Sequence, residues 1–271
     1  MPRTEATQEF KHAADERFVE YYLDQSQTAD TLRRFDVVYE MTSRLALAQL
    51  RGRTKLDVLD VGCGPGAQVC RWGREGHAVA GLDVSSAFID AARARVEKEG
   101  LSADLRVGTA TALPFRDESF DVCLLPELLE HVEDWRTCVT EAVRVLRPGG
   151  VLYLCTTNAL CPVQDEFKLP LYSWYPARLK KRYEQLARTT RPELVEYATY
   201  PAVHWFTYSR LQEVLVGYGM RCLDRFDMMQ PSSLARRLVK GLTSVPPFRF
   251  FGQVATPWTV IFAIKDRRSD R

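Results

Sequence analysis

The sequence predicts an α/β protein built on a doubly wound, mostly parallel sheet. Between residues 56 and 154, five short apolar runs alternate with stretches of helical periodicity. Parallel strands are buried on both faces, so they read as continuous apolar runs. Strands that alternate with helices form βαβ units, which place helices on both faces of the sheet. Two later strand candidates, residues 220–226 and 258–264, bring the expected number of strands to seven.

Residues 6–50 are predicted to be helical and to precede the first strand. Apolar and small side chains recur there at three- and four-residue spacing: Leu32, Phe35, Val38, Tyr39, Thr42 and Leu45. This spacing makes one helix face apolar. We therefore expect a helical N-terminal cap over residues 1–50.

The first strand candidate, residues 56–61, breaks at once into a glycine-rich turn. Asp60 stands near the end of the strand, and Gly62, Cys63, Gly64 and Gly66 follow it. Glycine permits a tight turn and lets a ligand approach the backbone closely. This turn is the first candidate for a binding loop.

The second strand candidate, residues 78–82, ends at another acidic residue. Asp83 follows it directly, where a carboxylate can accept hydrogen bonds from both hydroxyls of a ribose. Ser85 is a suitable N-cap for the next helix, which we expect to end before Gly100. Later strands are predicted at 103–107, 117–125 and 146–154, and Ser209 with Gln212 predicts a capping box for a helix at 210–217.

The pattern Asp-x-Gly-x-Gly-x-Gly over residues 60–66 resembles the cofactor loop of class I S-adenosylmethionine-dependent methyltransferases. The element order over residues 40–158 is similar to the branch that acts in ubiquinone and menaquinone biosynthesis, and a weaker resemblance resumes at 204–220. The resemblance implies a Rossmann-like fold with a seven-stranded, mostly parallel sheet. It also implies S-adenosylmethionine as cofactor and methyl transfer as activity.

A nicotinamide cofactor is the main alternative for this loop. Gly62, Gly64 and Ala67 also satisfy the pattern G-x-G-x-x-G/A, which by itself is a weak signal. Asp60 favours S-adenosylmethionine, because a carboxylate at the strand end would repel a pyrophosphate and attract the α-ammonium of a methionyl group. An NAD-dependent oxidoreductase therefore stays as an alternative function.

The resemblance assigns cofactor contacts to eleven residues. Asp60 would meet the ammonium group, Asp83 the ribose and Val84 one face of the adenine. Relatives often carry Asp where this chain has Thr109, so the contact with the adenine amino group would be weaker. Arg44 would reach the cofactor carboxylate, unless it is an ordinary surface arginine. The complete set is Arg44, Asp60, Gly62, Cys63, Gly64, Gly66, Asp83, Val84, Thr109, Ala110 and Glu127.

Histidine is the candidate for general base, because its pKa lies near neutral pH. His131 follows the fourth strand, whose end faces the transferred methyl group in this fold, although Glu130 and His131 could instead only anchor a helix start. His204 is the second choice. An acidic phenol or enol would need no base.

Residues 159–205 are predicted to form an inserted lid over the acceptor. The segment follows the fifth strand, at the edge where open α/β sheets bind ligands, and it is rich in aromatic and basic residues. A purely structural cap is the alternative, and no recognition motif supports RNA binding. The expected division is thus a cap at 1–50, a cofactor core at 51–158, the lid, and the rest of the core at 206–271.

Residues 228–265 contain no acidic residue, and within them the stretch 233–242 has a helical pattern. Its apolar side chains fall on one side and its basic side chains on the other. Such a helix either lies on an anionic membrane surface or packs its apolar face on the core. The residues concerned are Leu234, Leu238, Val239 and Leu242 on the apolar side and Arg236, Arg237 and Lys240 opposite.

Cysteine and histidine usage excludes some classes of site. The seven cysteines are scattered without a C-x-x-C pair, which predicts free thiols in a reducing cytoplasm. The four histidines show no ligand spacing to a cysteine, so we expect no metal site. The polar start shows no signal peptide, and no apolar run approaches the ~18 residues of a membrane span. The expected location is the cytoplasm, either free or held peripherally at the inner face of a membrane.

The sequence therefore favours an S-adenosylmethionine-dependent methyltransferase that methylates an oxygen of a small or lipid-linked acceptor. A flat aromatic ring, an anionic glycan and a membrane-held isoprenoid remain open as acceptors, and no nucleic acid is expected. Carbon is the alternative acceptor atom, and a non-catalytic cofactor-binding scaffold is the alternative from another class. The oligomeric state does not follow from the sequence.

Overall fold

Seven strands form a single sheet in the order β3-β2-β1-β4-β5-β7-β6. The computed structural model describes residues 16–198, 201–230 and 232–267. The strands are β1 (Asp57–Val61), β2 (Ala78–Asp83), β3 (Asp104–Val107), β4 (Phe120–Pro126), β5 (Leu146–Thr157), β6 (Met220–Asp224) and β7 (Trp258–Lys265).

The sheet is parallel except for β7, which runs antiparallel to β5 and to β6. The predicted doubly wound, mostly parallel, seven-stranded fold is confirmed. Because β1 to β6 run in the same direction, the segments that follow them all leave the sheet at its carboxyl edge. The chain between β6 and β7 also lies there, since β7 starts at that edge.

The helices alternate with the strands as predicted. They are α1 (Glu16–Gln25), α2 (Ala29–Gln49), α3 (Ala67–Arg74), α4 (Ser86–Lys98), α5 (Trp135–Val145), α6 (Ala177–Thr189), α7 (Tyr208–Gly217), α8 (Arg225–Met228), α9 (Leu234–Thr243) and α10 (Pro246–Val254). Within the described ranges, no helix is both long enough and apolar enough to span a membrane. Predicted helical residues 6–15 lie outside the described residues.

Helix caps agree with the prediction at one position and not at another. The Ser85 hydroxyl accepts a hydrogen bond from the amide of Phe88 and caps α4, as expected. The capping box predicted at Ser209 is wrong, because Thr207 caps α7 by accepting from the amide of Arg210. Thr207 and Ser209 both carry a hydroxyl group and lie two positions apart, so the sequence does not distinguish them as caps. The backbone conformation makes Thr207 the N-cap.

Two apolar cores cover the two faces of the sheet. Along β1, Val58 points into the core shared with α2, α3 and α4. Leu59 and Val61 point into the core shared with α5 and α7. The alternation of side chains along a strand produces this division. The sheet is thus covered on both sides, and its carboxyl edge is left for a site.

The segment between β5 and α7 builds a small core of its own. The rings of Phe167 and Tyr172 are buried and stacked, with centroids 3.9 Å apart. Leu194 and Val195 from a short 3-10 helix pack against them. These aromatic side chains hold the segment together, and its predicted role as a lid over the acceptor stays a prediction. Trp174 remains exposed.

Candidate functional site

The glycine turn after β1 takes a backbone conformation that favours glycine. Gly62, Gly64 and Gly66 have φ values of +75°, +50° and +77°, a region in which residues with a side chain are strained. A Cβ at Gly66 would lie 2.8 Å from the Cβ of Ala92, whereas a Cβ at Gly64 would meet no atom within 4 Å. The turn thus packs tightly on α4 at Gly66 and is open at Gly64.

Asp60 places a carboxyl group beneath this turn. Its side chain is 1% exposed, and neither carboxyl oxygen has a hydrogen-bond partner among the described residues. Burial and the neighbouring charge of Asp83 raise the pKa of Asp60 to about 7. A buried, unpartnered carboxylate is costly unless a positive group or a donor meets it. Asp60 is therefore ready for a cationic ligand.

Asp83 ends β2 and faces the same turn. One carboxyl oxygen accepts from the Gly64 amide and the other from the Ser85 amide, both at 2.9 Å. Each carboxylate oxygen has a second lone pair, so both can still accept from a ligand hydroxyl. Burial raises the pKa of Asp83, while the amide hydrogen bonds oppose that rise. Val84, directly after it, is half-buried.

The segment after β3 lies beside the β2 end. The Thr109 hydroxyl is 2.8 Å from that of Thr111 and accepts from the Thr111 amide at 3.2 Å. Ala110 is buried. Cys63, within the glycine turn, is also buried, and burial raises the pKa of its thiol. A neutral thiol at this position makes the turn unreactive and leaves its backbone groups as the binding elements.

Glu127 follows β4, the neighbour of β1, and an arginine from α2 holds it. The Glu127 carboxylate accepts from Nη1 of Arg34 at 2.7 Å, and its backbone amide donates to the Cys155 carbonyl at 2.8 Å. Burial raises the pKa of Glu127, and Arg34 opposes the rise. A Cβ on Gly62 would lie 3.1 Å from the side chain of Leu128, so the glycine turn and this segment are in contact.

A second polar group, after the one that contains Asp60 and Asp83, consists of Glu130, His131 and Glu166. The fully buried Glu130 accepts from the Thr156 hydroxyl at 2.7 Å, and its other oxygen has no hydrogen-bond partner among the described residues. The Nε2 atom of His131 is 3.9 Å from a carboxyl oxygen of Glu166. Burial and neighbouring acidic groups raise the pKa of Glu166 to about 8. An imidazole and poorly solvated carboxyl groups thus lie close together, with one ligand atom from each residue within 4.8 Å of the other two.

Comparison with known proteins agrees with this geometry. Residues 59–154 match a family model described as a methyltransferase domain. The chain is 33% identical over 149 residues to a ubiquinone biosynthesis O-methyltransferase of Chelativorans sp. (strain BNC1), a match that covers 53% of this chain and 56% of that protein. It is 32% identical over 166 residues to a demethylmenaquinone methyltransferase of Tropheryma whipplei (strain Twist), covering 61% of this chain and 66% of that one.

A solved structure with the same fold is the plantazolicin methyltransferase BpumL in complex with SAH. The TM-score is 0.57 at 17% identity, over 97% of this chain and 94% of that one. The chain belongs to the class I S-adenosylmethionine-dependent methyltransferases. The match spans little more than half the length of the Chelativorans relative. The family-model match, residues 59–154, includes the glycine turn, Asp83 and the segment after β4.

S-adenosylmethionine is the cofactor of this methyltransferase domain. The residues present fit it, because a buried carboxyl group without partners and an open glycine turn lie at the place where its methionyl group would bind. The oxidoreductase alternative is wrong, since the family match covers the very loop on which that alternative depended. The individual contacts of Asp60, Asp83 and the other predicted residues remain proposals.

Two residues predicted for the methyltransferase site lie elsewhere or have other partners. Arg44 is exposed, and its guanidinium donates to the Met228 carbonyl at 3.0 Å. Arg34, ten residues earlier on the same helix, reaches Glu127 instead. The His204 ring donates from Nε2 to the Glu133 carbonyl at 3.0 Å, and burial lowers its pKa. The His204 amide also donates to the Glu130 carbonyl at 3.3 Å, so the backbone of His204 adjoins the segment that carries His131. The site roles of Arg44 and His204 stay predictions.

Three residues of the methyltransferase site escaped the sequence-based prediction. Arg34 and Glu166 carry no motif and meet their partners across long stretches of chain. Tyr22 lies near Glu127, Glu130 and Glu166, whose charges, after burial, raise the pKa of its hydroxyl. The aromatic and basic composition of residues 159–205 hid the acidic Glu166, which that segment places near His131.

Glu130, His131 and Glu166 could also hold a metal ion. One ligand atom from each lies within 4.8 Å of the other two. Carboxylate oxygens with one imidazole nitrogen suit a divalent cation. The prediction of no metal site rested on the spacing of histidine and cysteine, and it did not consider carboxylates brought together by the fold.

Proposed function

We propose that this chain transfers the methyl group of S-adenosylmethionine to a hydroxyl oxygen of a small or lipid-linked acceptor. The observation that carries the proposal is the buried Asp60 carboxyl group before an open glycine turn, because its two oxygens have no hydrogen-bond partner in the part of the chain that the structure describes. The α-ammonium of the cofactor would supply the missing charge and hydrogen bonds. Asp83 would bind the ribose, Val84 would cover the adenine, and Thr109 with Ala110 would contact its edge.

The acceptor would bind between the cofactor and the group formed by Glu130, His131 and Glu166. The bound cofactor would supply the methyl group, and as the acceptor oxygen bonds to the methyl carbon, the bond from that carbon to sulfur would break with its electron pair left on sulfur. Nε2 of His131 would accept the proton of the acceptor hydroxyl, and Glu166 would stabilise the resulting imidazolium. Alignment of the reacting atoms contributes most, and a placed base adds about 10²–10⁴ in rate.

A bound divalent cation is the second means by which the same residues could activate a hydroxyl. A cation held by Glu130, His131 and Glu166 would lower the pKa of a coordinated hydroxyl group, so that it attacks as the oxyanion. The unpartnered oxygen of Glu130 favours this arrangement. In either case, the buried carboxyl groups disfavour an anionic acceptor and favour a neutral phenol or alcohol.

The test measures binding and transfer separately. Isothermal titration with S-adenosylhomocysteine should give one site, and Asp83→Ala should weaken it by about 1–3 kcal/mol. Asp90→Ala, an exposed aspartate paired with Arg93, is the matched control and should bind as wild type does. Transfer of a labelled methyl group to a panel of phenols and alcohols should then occur, with the label on oxygen in the product.

His131→Ala should lower kcat by about 10²–10⁴ without changing the dissociation constant of S-adenosylhomocysteine. His204→Ala should lower kcat less than about tenfold, because its ring is bound to a backbone carbonyl.

The alternatives have separate tests. Loss of transfer with EDTA and its recovery with Mg²⁺ or Mn²⁺ would show that a bound cation activates the acceptor hydroxyl. Cofactor binding without transfer to any acceptor would favour the scaffold alternative, and a label on carbon would favour C-methylation.

A further inference from the structure

Helices α9 and α10 present an apolar surface to solvent. The sequence left open whether α9 packs its apolar side on the core, and the structure shows that it does not. In α9 only Thr243 is buried, and in α10 no residue is buried. The two helices pack mainly on each other. The exposed apolar side chains, here called the α9–α10 surface, are Leu234, Leu238, Val239, Leu242, Val245, Phe248, Phe250 and Phe251.

Basic residues flank this surface. At about 100° per residue, the apolar arc of α9 runs from Leu234 through Leu238 to Val239, with Arg236 beyond one end and Arg237 beyond the other. No acidic residue occurs between positions 228 and 265. Arg249 of α10 points inward and pairs with Asp224 at 2.7 Å. The stretch that carries the α9–α10 surface therefore contributes basic and no acidic side chains.

We propose that the α9–α10 surface docks on a lipid bilayer that carries anionic headgroups. Leucine and phenylalanine side chains enter the acyl boundary, while arginines at the rim of the apolar arc reach the headgroups. A second copy of this chain fits less well, because a two-fold contact would bring like charges together. The bilayer supplies the opposite charge.

The α9–α10 surface lies at the same edge of the sheet as the candidate site. Helices α9 and α10 connect β6 to β7 at the carboxyl edge, where the glycine turn and Glu130 also lie. Asn158, at the end of β5, donates to the carbonyls of Gln253 and Thr256 at 2.8 and 2.7 Å, which ties α10 to that edge. Docking would turn this edge of the sheet towards the membrane. Delivery of a membrane-held acceptor rests on the proposed function, whereas the docking itself does not.

The test is flotation of the full chain with vesicles of phosphatidylcholine alone or mixed with phosphatidylglycerol. Wild type should float with the anionic vesicles and much less with the neutral ones. Each basic side chain near an anionic surface contributes about fivefold, so the double variant Arg236→Glu, Arg237→Glu should lower partitioning by about 20-fold or more. Leu238→Ser with Phe251→Ser should also abolish flotation, because the apolar anchors are lost.

The matched control is Val216→Ser with Arg221→Glu, which removes an exposed apolar and a basic side chain near the amino ends of the parallel strands, opposite the carboxyl edge. It should float as wild type does. The proposal is overturned if wild type does not float with anionic vesicles, if both surface variants float equally well, or if the apolar variant instead abolishes self-association in solution. S-adenosylhomocysteine titration of every variant reports folding, so a failure of docking leaves the proposed function standing.

Discussion

Two aspartates at neighbouring strand ends illustrate how the site works at the scale of single residues. Asp83 accepts from the amides of Gly64 and Ser85, whereas the more deeply buried Asp60 has no hydrogen-bond partner among the described residues. In the proposed function, Asp83 is therefore already oriented for a neutral ribose. The second gains most from a cation, because desolvation has raised the free energy of its charged form. One cofactor carries both groups.

The raised pKa of Asp60 makes cofactor binding depend on pH. An ammonium group binds the ionised carboxylate, so the affinity of wild type for S-adenosylhomocysteine should fall as pH is lowered from about 8 to about 6, through the pKa of about 7. Asp60→Asn should bind about 1–3 kcal/mol more weakly at the higher pH and lose this dependence. Titration calorimetry at several pH values measures both.

The same group sets a trend in the stability of the ligand-free protein. Since its pKa is raised by folding, the stability that the neutral form provides is lost as pH rises through about 7. In urea denaturation, the free energy of unfolding of wild type should decline as pH rises from the ordinary aspartate pKa of 3.8 to about 7. The decline should be smaller for Asp60→Asn. Identical pH profiles of affinity for the two proteins would contradict the role of Asp60.

At the scale of elements, an ion-pair group ties β4 to its neighbours at the edge opposite the site. The fully buried Asp121 of β4 accepts from Arg53 at 2.6 Å, from Arg147 at 2.9 Å and from the Asp57 amide at 2.9 Å. These contacts link the starts of β1, β4 and β5. The register of these strands also aligns their carboxyl ends, where Asp60 and Glu127 meet the cofactor loop.

Removal of one partner from such a buried group is expected to cost much stability, because the other charges lose their counter-ion. Asp121→Ala should lower the free energy of unfolding by about 3–5 kcal/mol in urea denaturation. Asp117→Ala is the control, since Asp117 pairs with Arg144 while its side chain stays 75% exposed, and it should cost at most about 1 kcal/mol. Equal losses for the two variants would remove the structural role of Asp121.

The inserted segment is the element that the sequence described least well. Its aromatic residues suggested a surface for the acceptor, but Phe167 and Tyr172 are used to stabilise the segment. Its contribution to the second polar group is Glu166, which lies near His131. Composition cannot distinguish rings that bind a ligand from rings that pack on one another, because both need the same chemistry.

At the scale of the whole molecule, the parallel sheet collects the cofactor loop, the second polar group and the α9–α10 surface at one edge. The N-terminal helices join this arrangement: Phe18 of α1 packs on Phe88 of α4 with ring centroids 5.9 Å apart, and Arg34 of α2 holds Glu127. The cap and the core should therefore respond to the cofactor together.

A ligand that binds only the folded state stabilises the whole chain. At about 100 times its dissociation constant, S-adenosylhomocysteine should add about 2.7 kcal/mol and raise Tm by about 5–10 °C. Scanning calorimetry should show one transition that shifts as a unit. NADH at the same concentration should leave Tm unchanged, and a shift with NADH alone would overturn the assignment of the cofactor.

The sequence by itself determined the α/β class, the strand positions, the glycine turn with Asp60 and Asp83, and the helix cap at Ser85. These features rest on local chemistry: apolar runs, the freedom of glycine and the reach of a hydroxyl to a nearby amide. Only the tertiary structure decided that Arg34 meets Glu127, that Glu166 lies near His131, and that the apolar side of α9 faces solvent. These relations join residues far apart in the chain, and no local pattern encodes which side chains packing will bring together.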